Sequence, residues 1–130
     1  MLIDDSIVRG TTSVKIVELM RQAGAREVHM KIASPPIKYP DFYGIDTPEK
    51  AQLLASLKSE KEMATYIGAD SLSFLSVDGL YRAMGHEKGR DDTNPAFTDH
   101  CFTGDYPTPL EDNNIAWLFE TSQLSVRNEN

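Results

Sequence analysis

An α/β fold, a parallel sheet with flanking helices, is what this sequence predicts, and three observations predict it. Leu2-Ile3 is an apolar run that stops at two adjacent acids, Asp4 and Asp5, as a buried strand stops where its loop begins. A helical pattern over residues 11–23 and an alternating one over residues 27–33 follow directly. A further alternating stretch, residues 71–76 (SLSFLS), comes after two short helical segments. Strand, helix and strand in succession make a βαβ unit, whose strands are parallel with a right-handed crossover.

Each element has a local reason. In residues 11–23, Val14, Ile16, Leu19, Met20 and Ala23 fall at helical spacing, which predicts that they face the core while Lys15, Glu18 and Arg21 face water. Gly24 is placed to end that helix. In residues 27–33, Val28, Met30 and Ile32 alternate with His29 and Lys31. Residues 34–48 (SPPIKYPDFYGIDTP) hold four prolines and two tyrosines and read as a long irregular segment, a kind that often carries function. Residues 49–57 and 59–67 read as short helices, with Thr47 as N-cap before Pro48 and Ser59 as the second cap. Gly68 closes the second. Residues 77–84 read as a helix ended by Gly85, residues 86–92 (HEKGRDD) as a solvated loop, and residues 98–108 as holding a short strand or extended stretch around His100-Cys101-Phe102. The tail, residues 111–130, is weakly patterned and expected to fray.

The bulk numbers exclude several classes. With 130 residues, 40% apolar and 25% charged, this is at most one ordinary globular domain. A net charge of −7 argues against a nucleic-acid partner and against an anionic membrane surface. No apolar run approaches the ~18 residues of a membrane span, and no signal-peptide pattern follows Met1. One cysteine, Cys101, excludes an internal disulfide and suits a reducing, cytoplasmic setting. There is no Walker A loop and no G-x-G-x-x-G.

The acidic pair carries the chemistry. Ligands of open α/β sheets sit beyond the carboxyl ends of the strands, where Asp4 and Asp5 stand. Successive strand residues point to opposite faces, so one carboxylate can reach ribose hydroxyls while the other holds Mg2+. Residues 6–12 (SIVRGTT) supply backbone N–H groups and three hydroxyls, from Ser6, Thr11 and Thr12. Gly10 permits a tight turn, and the helix that starts near Thr11 offers free N–H groups to a phosphate. Arg9 either adds a charge or is solvated. The plain alternative is a strand–turn–helix junction with Thr11, Thr12 or Ser13 as N-cap. The acids bring the two readings level, because two adjacent carboxylates repel without a cation.

The run Leu2-Ile3-Asp4-Asp5-Ser6-Ile7-Val8-Arg9-Gly10-Thr11-Thr12-Ser13 resembles the 5-phosphoribosyl-1-pyrophosphate (PRPP) motif of type I phosphoribosyltransferases, in the form carried by the glutamine amidophosphoribosyltransferase family. Four further stretches are similar to that family: Glu27-Val28-His29 through Ile37, Tyr43-Gly44-Ile45-Asp46-Thr47-Pro48, Ile67-Gly68-Ala69-Asp70-Ser71-Leu72, and Cys101-Phe102-Thr103-Gly104-Asp105-Tyr106-Pro107. They cover residues 1–110, which the resemblance makes the C-terminal part of a type I phosphoribosyltransferase domain, with residues 111–130 as a tail. It implies an enzyme that forms 5-phosphoribosylamine from PRPP and glutamine-derived ammonia, at the first step of de novo purine biosynthesis. It implies Asp4, Asp5, Ser6, Arg9, Gly10, Thr11, Thr12 and Ser13 as substrate-binding residues, Asp4 and Asp5 as Mg2+ ligands, purine nucleotides as inhibitors, and a homo-oligomer in the full-length enzyme. No catalytic residue is assigned.

The sequence also departs from the family. It begins inside the domain, without the terminal-cysteine glutaminase or the upstream residues that contact pyrophosphate, so the fragment alone is expected to be inactive. Some family members carry an iron–sulfur cluster on four cysteines. Asp41 and Thr98 stand at two of those positions here and only Cys101 remains, so no cluster is expected. A non-catalytic nucleotide- or phosphate-binding module is the alternative. Among other candidates, His100 beside Cys101 reads as a poor nucleophile–base pair, since adjacent strand residues diverge, and Cys101 reads as a buried structural cysteine. His29, His86 and His100 show no metal-ligand spacing and read as scattered, solvated side chains. Tyr39, Phe42 and Tyr43 read either as lining a nucleotide pocket or, more simply, as covering a core or interface.

Overall fold

The computed structural model describes residues 1–110; residues 111–130, where the weakly patterned tail was expected, lie outside the described residues. Three parallel strands form the sheet in the order β1 (Leu2–Asp4), β2 (His29–Ile32), β3 (Ser71–Phe74). Leu2 pairs with Met30 and Asp4 with Ile32, and on the other side Met30 pairs with Leu72 and Ile32 with Phe74. The expected βαβ unit is present as β1, α1 (Thr11–Gln22) and β2.

The central strand supplies the middle of the core. Val28, Met30 and Ile32 are all buried, while Lys31 between them is exposed. They form one apolar cluster with Ile7, with Val17 of α1, with Leu54 and Ala55 of α2 (Leu54–Leu57) and with Met63 and Ile67 of α3 (Glu60–Ile67). Helix α3 carries the capping box predicted at Ser59: the Ser59 hydroxyl accepts from the Glu62 N–H, and the Glu62 carboxylate accepts from the Ser59 N–H. Gly68 ends it in the left-handed conformation, at φ 76°.

Two expectations for the helices need correction. The buried line of α1 is Ser13 and Val17, with Val14 half-buried; Leu19 and Met20 are 58% and 39% exposed. The stripe continues at i+8 with Arg21, which was expected to face water. Its guanidinium donates to the carbonyls of Arg26 and Gly68 and to Asp70, at 2.7 Å. A hydroxyl thus occupies the inward face, while the Arg21 side chain, 36% exposed, stays in reach of water and is tethered across the end of the helix. Thr47 is not an N-cap. Its hydroxyl accepts from the Asp41 N–H, and residues 49–57 divide into a 3-10 turn (Lys50–Gln52) and α2, with Leu53 fully buried between them.

Helix α4 (Val77–Ala83) is capped by Ser76 and followed by Gly85 at φ 93°. The segment expected as a strand at His100 is a one-turn helix, α5 (His100–Thr103). Gly104 ends it, so close to Tyr39 that a Cβ there would lie 2.9 Å from the Tyr39 ring. Residues 86–92 are not simply a solvated loop. Arg90 is drawn inward, its side chain 9% exposed, and donates to Asp99, Asp105 and Asp92.

Candidate phosphate and metal site

Residues 4–13 wrap a cavity of about 290 Å3 at the carboxyl end of β1, closed on one side by Ile16 of α1. Every residue proposed from the sequence lines it: Asp4, Asp5, Ser6, Arg9, Gly10, Thr11, Thr12 and Ser13. Asp4 is half-buried and Asp5 exposed. Asp4 Oδ1 accepts from the Asp5 N–H at 3.0 Å, and Asp5 Oδ1 accepts from the Ser6 N–H at 2.6 Å. These short-range bonds fold the acids back along the loop. Among the described residues neither acid makes an ion pair, so the negative charge of the pair is not neutralised by a nearby side chain.

The loop is held from below and from one side. Ile7 is 2% exposed and anchors it in the core. The Val8 carbonyl accepts from the Leu54 N–H at 2.9 Å, and Arg9 Nε donates to the Gln52 side chain at 3.1 Å. Gly10 adopts φ 80°, a left-handed conformation that favours glycine, with Leu54 and Tyr66 packed against its α-carbon. Arg9 is therefore exposed but tethered, between the two roles considered for it.

Gly10 is also the N-cap of α1, and no side chain caps the helix. Thr11, Thr12 and Ser13 are not caps; their hydroxyls stand within the first turn. The N–H groups of that turn have no intrahelical acceptor and open towards the cavity, where the helix dipole favours an anion. Thr11 and Thr12 are exposed, whereas Ser13 is buried on the inner face while still bordering the cavity. Negative charge at the strand end and unpaired donors at the helix start thus face one space. A phosphorylated, hydroxyl-rich ligand carrying a divalent cation satisfies both ends. The braces Gln52, Leu54 and Tyr66 carry no local signal in the sequence; they are forty or more positions from the loop and meet it only in the fold.

No protein-family model matches the chain. The chain is 64% identical over 115 residues to an amidophosphoribosyltransferase of Rhizobium etli, covering 88% of this chain and 23% of that protein. It is 54% identical over 110 residues to the amidophosphoribosyltransferase of Bacillus subtilis, covering 85% of this chain. Its relatives are amidophosphoribosyltransferases. The chain spans 23% of the length of each of these two. The solved structure of glutamine PRPP amidotransferase from Bacillus subtilis complexed with ADP and GMP superposes with a TM-score of 0.76 at 53% identity, over 86% of this chain and 24% of that one. A structure described as the allosteric regulatory enzyme of purine biosynthesis superposes with a TM-score of 0.75. The α/β fold with its parallel sheet is thus the type I phosphoribosyltransferase fold found in PRPP amidotransferases. Among the described residues, no helix is long and apolar enough to cross a membrane.

The four-cysteine cluster carried by some amidophosphoribosyltransferases does not fit the residues present. The sequence has one cysteine. At the matching position Asp41 is instead paired with His100, Oδ1 to Nε2 at 2.6 Å, with the two side chains 2% and 6% exposed. His100 is therefore buried, not a solvated histidine, and because α5 is a helix the strand argument that separated His100 from Cys101 fails. Burial, and then the charge of Asp41, push the Cys101 thiol above its ordinary range. Burial works against the Asp41 carboxylate, but the N–H groups of Ile45 and Tyr43 and the His100 ring hold it below the usual range. Phe42 and Tyr43 pack against Tyr106, and Tyr43 meets the His100 ring edge-on at 5.1 Å. Lys50 lies 5.0 Å over the Tyr39 ring. These aromatic residues fill an interface between the proline-rich segment and its neighbours, the simpler of the two readings of them.

Proposed function

We propose that this chain is the PRPP-holding part of an amidophosphoribosyltransferase, a glycosyltransferase that forms 5-phosphoribosylamine from PRPP and glutamine-derived ammonia. The observation that carries it is the cavity in which a strand-end acid pair opens directly into a glycine-turned loop and an uncapped helix N-terminus. In this reading the free N–H groups and hydroxyls of residues 10–12 bind the 5-phosphate, with Ser6 and Ser13 at the margins. Asp4 and Asp5 bind the ribose hydroxyls and Mg2+. Mg2+ held by Asp4 and Asp5 would supply positive charge against the pyrophosphate leaving group. The chain's own residues orient the ribose and phosphate so that its anomeric carbon faces the incoming ammonia. Purine nucleotides, which also carry a ribose 5-phosphate, suit the same loop as inhibitors. Residues 1–110 form the C-terminal part of the phosphoribosyltransferase domain, and a cytoplasmic homo-oligomer is the expected setting of the full-length enzyme.

Calorimetric titration with PRPP, with and without Mg2+, tests this. Asp4→Asn with Asp5→Asn is expected to remove the Mg2+-dependent part of the affinity, a loss of tenfold or more, which is about 1.4 kcal/mol. Equal affinity in parent and variant sinks the role of the pair. Thr11→Ala or Thr12→Ala should weaken ribose 5-phosphate binding by ~1 to 3 kcal/mol, the effect of losing a hydrogen bond to a charged oxygen. Unchanged binding in both would remove the hydroxyls from the site.

A further inference from the structure

We propose that Asp41, His100 and Cys101 form a second metal site, for a single divalent cation of the zinc class, separate from the loop of residues 4–13. One donor atom from each of the three lies within 4.8 Å of the others. They come from two places in the chain, the proline-rich segment and α5, which the backbone already joins: the Cys101 carbonyl accepts from the N–H groups of Lys38 and Tyr39.

The donor set, its charge and its support all suit one ion. Imidazole, thiolate and carboxylate are the ligands zinc takes in proteins, and three of them leave a fourth position for water. Asp41 and a Cys101 thiolate bring two negative charges, balancing the cation. Binding converts the thiol to a metal-bound thiolate and releases its proton to solvent, while the imidazole stays neutral. Asp41 is pre-oriented: its Oδ2 accepts from the N–H groups of Tyr43 and Ile45, both at 2.8 Å, so Oδ1 is the atom turned to the cluster. The rings of Tyr43 and Tyr106, each centred 5.1 Å from that of His100, fix the imidazole.

The second observation is an orphan. Nδ1 of His100 is the buried side-chain nitrogen left without a hydrogen-bond partner among the described residues. Apart from its bond to Asp41 the buried ring has no competing hydrogen bond among the described residues, so nothing else holds Nε2 when it turns from Asp41 to an ion. Ion entry needs little movement. Two light-atom ligands of a tetrahedral zinc at ~2.0 Å stand roughly 3.3 Å apart. The 2.6 Å contact between Asp41 and His100 therefore opens by less than an ångström as the hydrogen bond is replaced by two metal bonds. An iron–sulfur cluster does not fit these residues; one ion does.

Cobalt(II) titration of the intact 130-residue chain tests the proposal, because tetrahedral Co2+ bound to thiolate shows a charge-transfer band and intense visible ligand-field bands. The parent is expected to develop both at one equivalent and to lose them when Zn2+ is added. Cys101→Ser should abolish the charge-transfer band, and His100→Ala should weaken Co2+ binding at least tenfold. Asp4→Asn with Asp5→Asn should leave the bands intact, which separates this site from the proposed Mg2+ site. A parent that takes up Co2+ without a thiolate band, or takes up none, overturns the proposal and leaves Asp41–His100 as a hydrogen-bonded clasp. Because the parent alone gives that answer, a variant that failed to fold would not obscure it.

Discussion

Arg90→Ala is expected to destabilise the protein by about 3–5 kcal/mol, the usual cost of stripping one partner from a buried ion pair. Arg90 Nε donates to Asp99 Oδ2 at 2.7 Å, and the side chains are 9% and 4% exposed. Tyr81, buried in α4, donates its hydroxyl to the same Asp99 oxygen, also at 2.7 Å, and the Thr103 hydroxyl bonds Oδ1. The Arg90 backbone N–H in turn reaches Asp78. One guanidinium therefore ties α4, the loop after it and the start of α5 together. Without it Asp99 keeps its charge in a place that water does not reach. Urea unfolding at pH 7 measures the loss; a change below 1 kcal/mol would show that Asp99 finds water or another donor. Replacing both residues by leucine should recover much of the stability, since no buried charge is then left alone.

The same pair sets a pH dependence. Burial alone would raise the Asp99 carboxyl, but the hydrogen bonds from Arg90, Tyr81 and Thr103 outweigh it and hold the carboxyl below the usual range. A depressed carboxyl contributes stability that is fully present above its unfolded pKa of about 3.9 and is lost as pH falls through the lower folded value. The parent should therefore lose stability steeply below about pH 4, and Asp99→Asn, already destabilised at pH 7, should show a shallower fall over that window.

How much of this was legible in the sequence follows from the range of the interactions. The βαβ unit, the strand-end acids, the Ser59 cap and the glycine after α3 are local patterns, each complete within a few residues, and each stands where its pattern placed it. Local reasoning failed where a polar side chain took an inward place because of a distant partner. Arg90 turns in to reach Asp99 and Asp105. The clearest case is His100. A strand reading put its side chain opposite that of Cys101, whereas four residues of helix bring both towards Asp41, fifty-nine positions away from His100. The loop after the strand-end acids was legible as a motif. Its rigidity was not, because Gln52, Leu54 and Tyr66 enter only by tertiary packing.

That packing makes Gly10→Ala the most damaging small change expected at the loop. Two costs combine. An L-residue at φ 80° loses roughly 1–2 kcal/mol against glycine. The new Cβ would also stand 2.7 Å from Leu54 Cδ2 and 3.3 Å from the Tyr66 ring. Leu54 is 4% exposed and part of the main apolar cluster, so it cannot swing into solvent as the half-exposed Tyr66 can. The loop must therefore lift, and it carries with it the Val8 carbonyl bond to Leu54 and the free N–H groups at the start of α1. Affinity for ribose 5-phosphate should fall 100-fold or more, about 2.7 kcal/mol, while the sheet and its far side remain folded. Leu54→Ala offers a check on the steric half of this account. Alone it should cost about 2–5 kcal/mol of stability as a core truncation. Combined with Gly10→Ala it should cost less than the sum, since the clash is gone and only the backbone strain persists. Strict additivity in that cycle, or binding by Gly10→Ala within threefold of the parent, would show that the loop is not held by this contact.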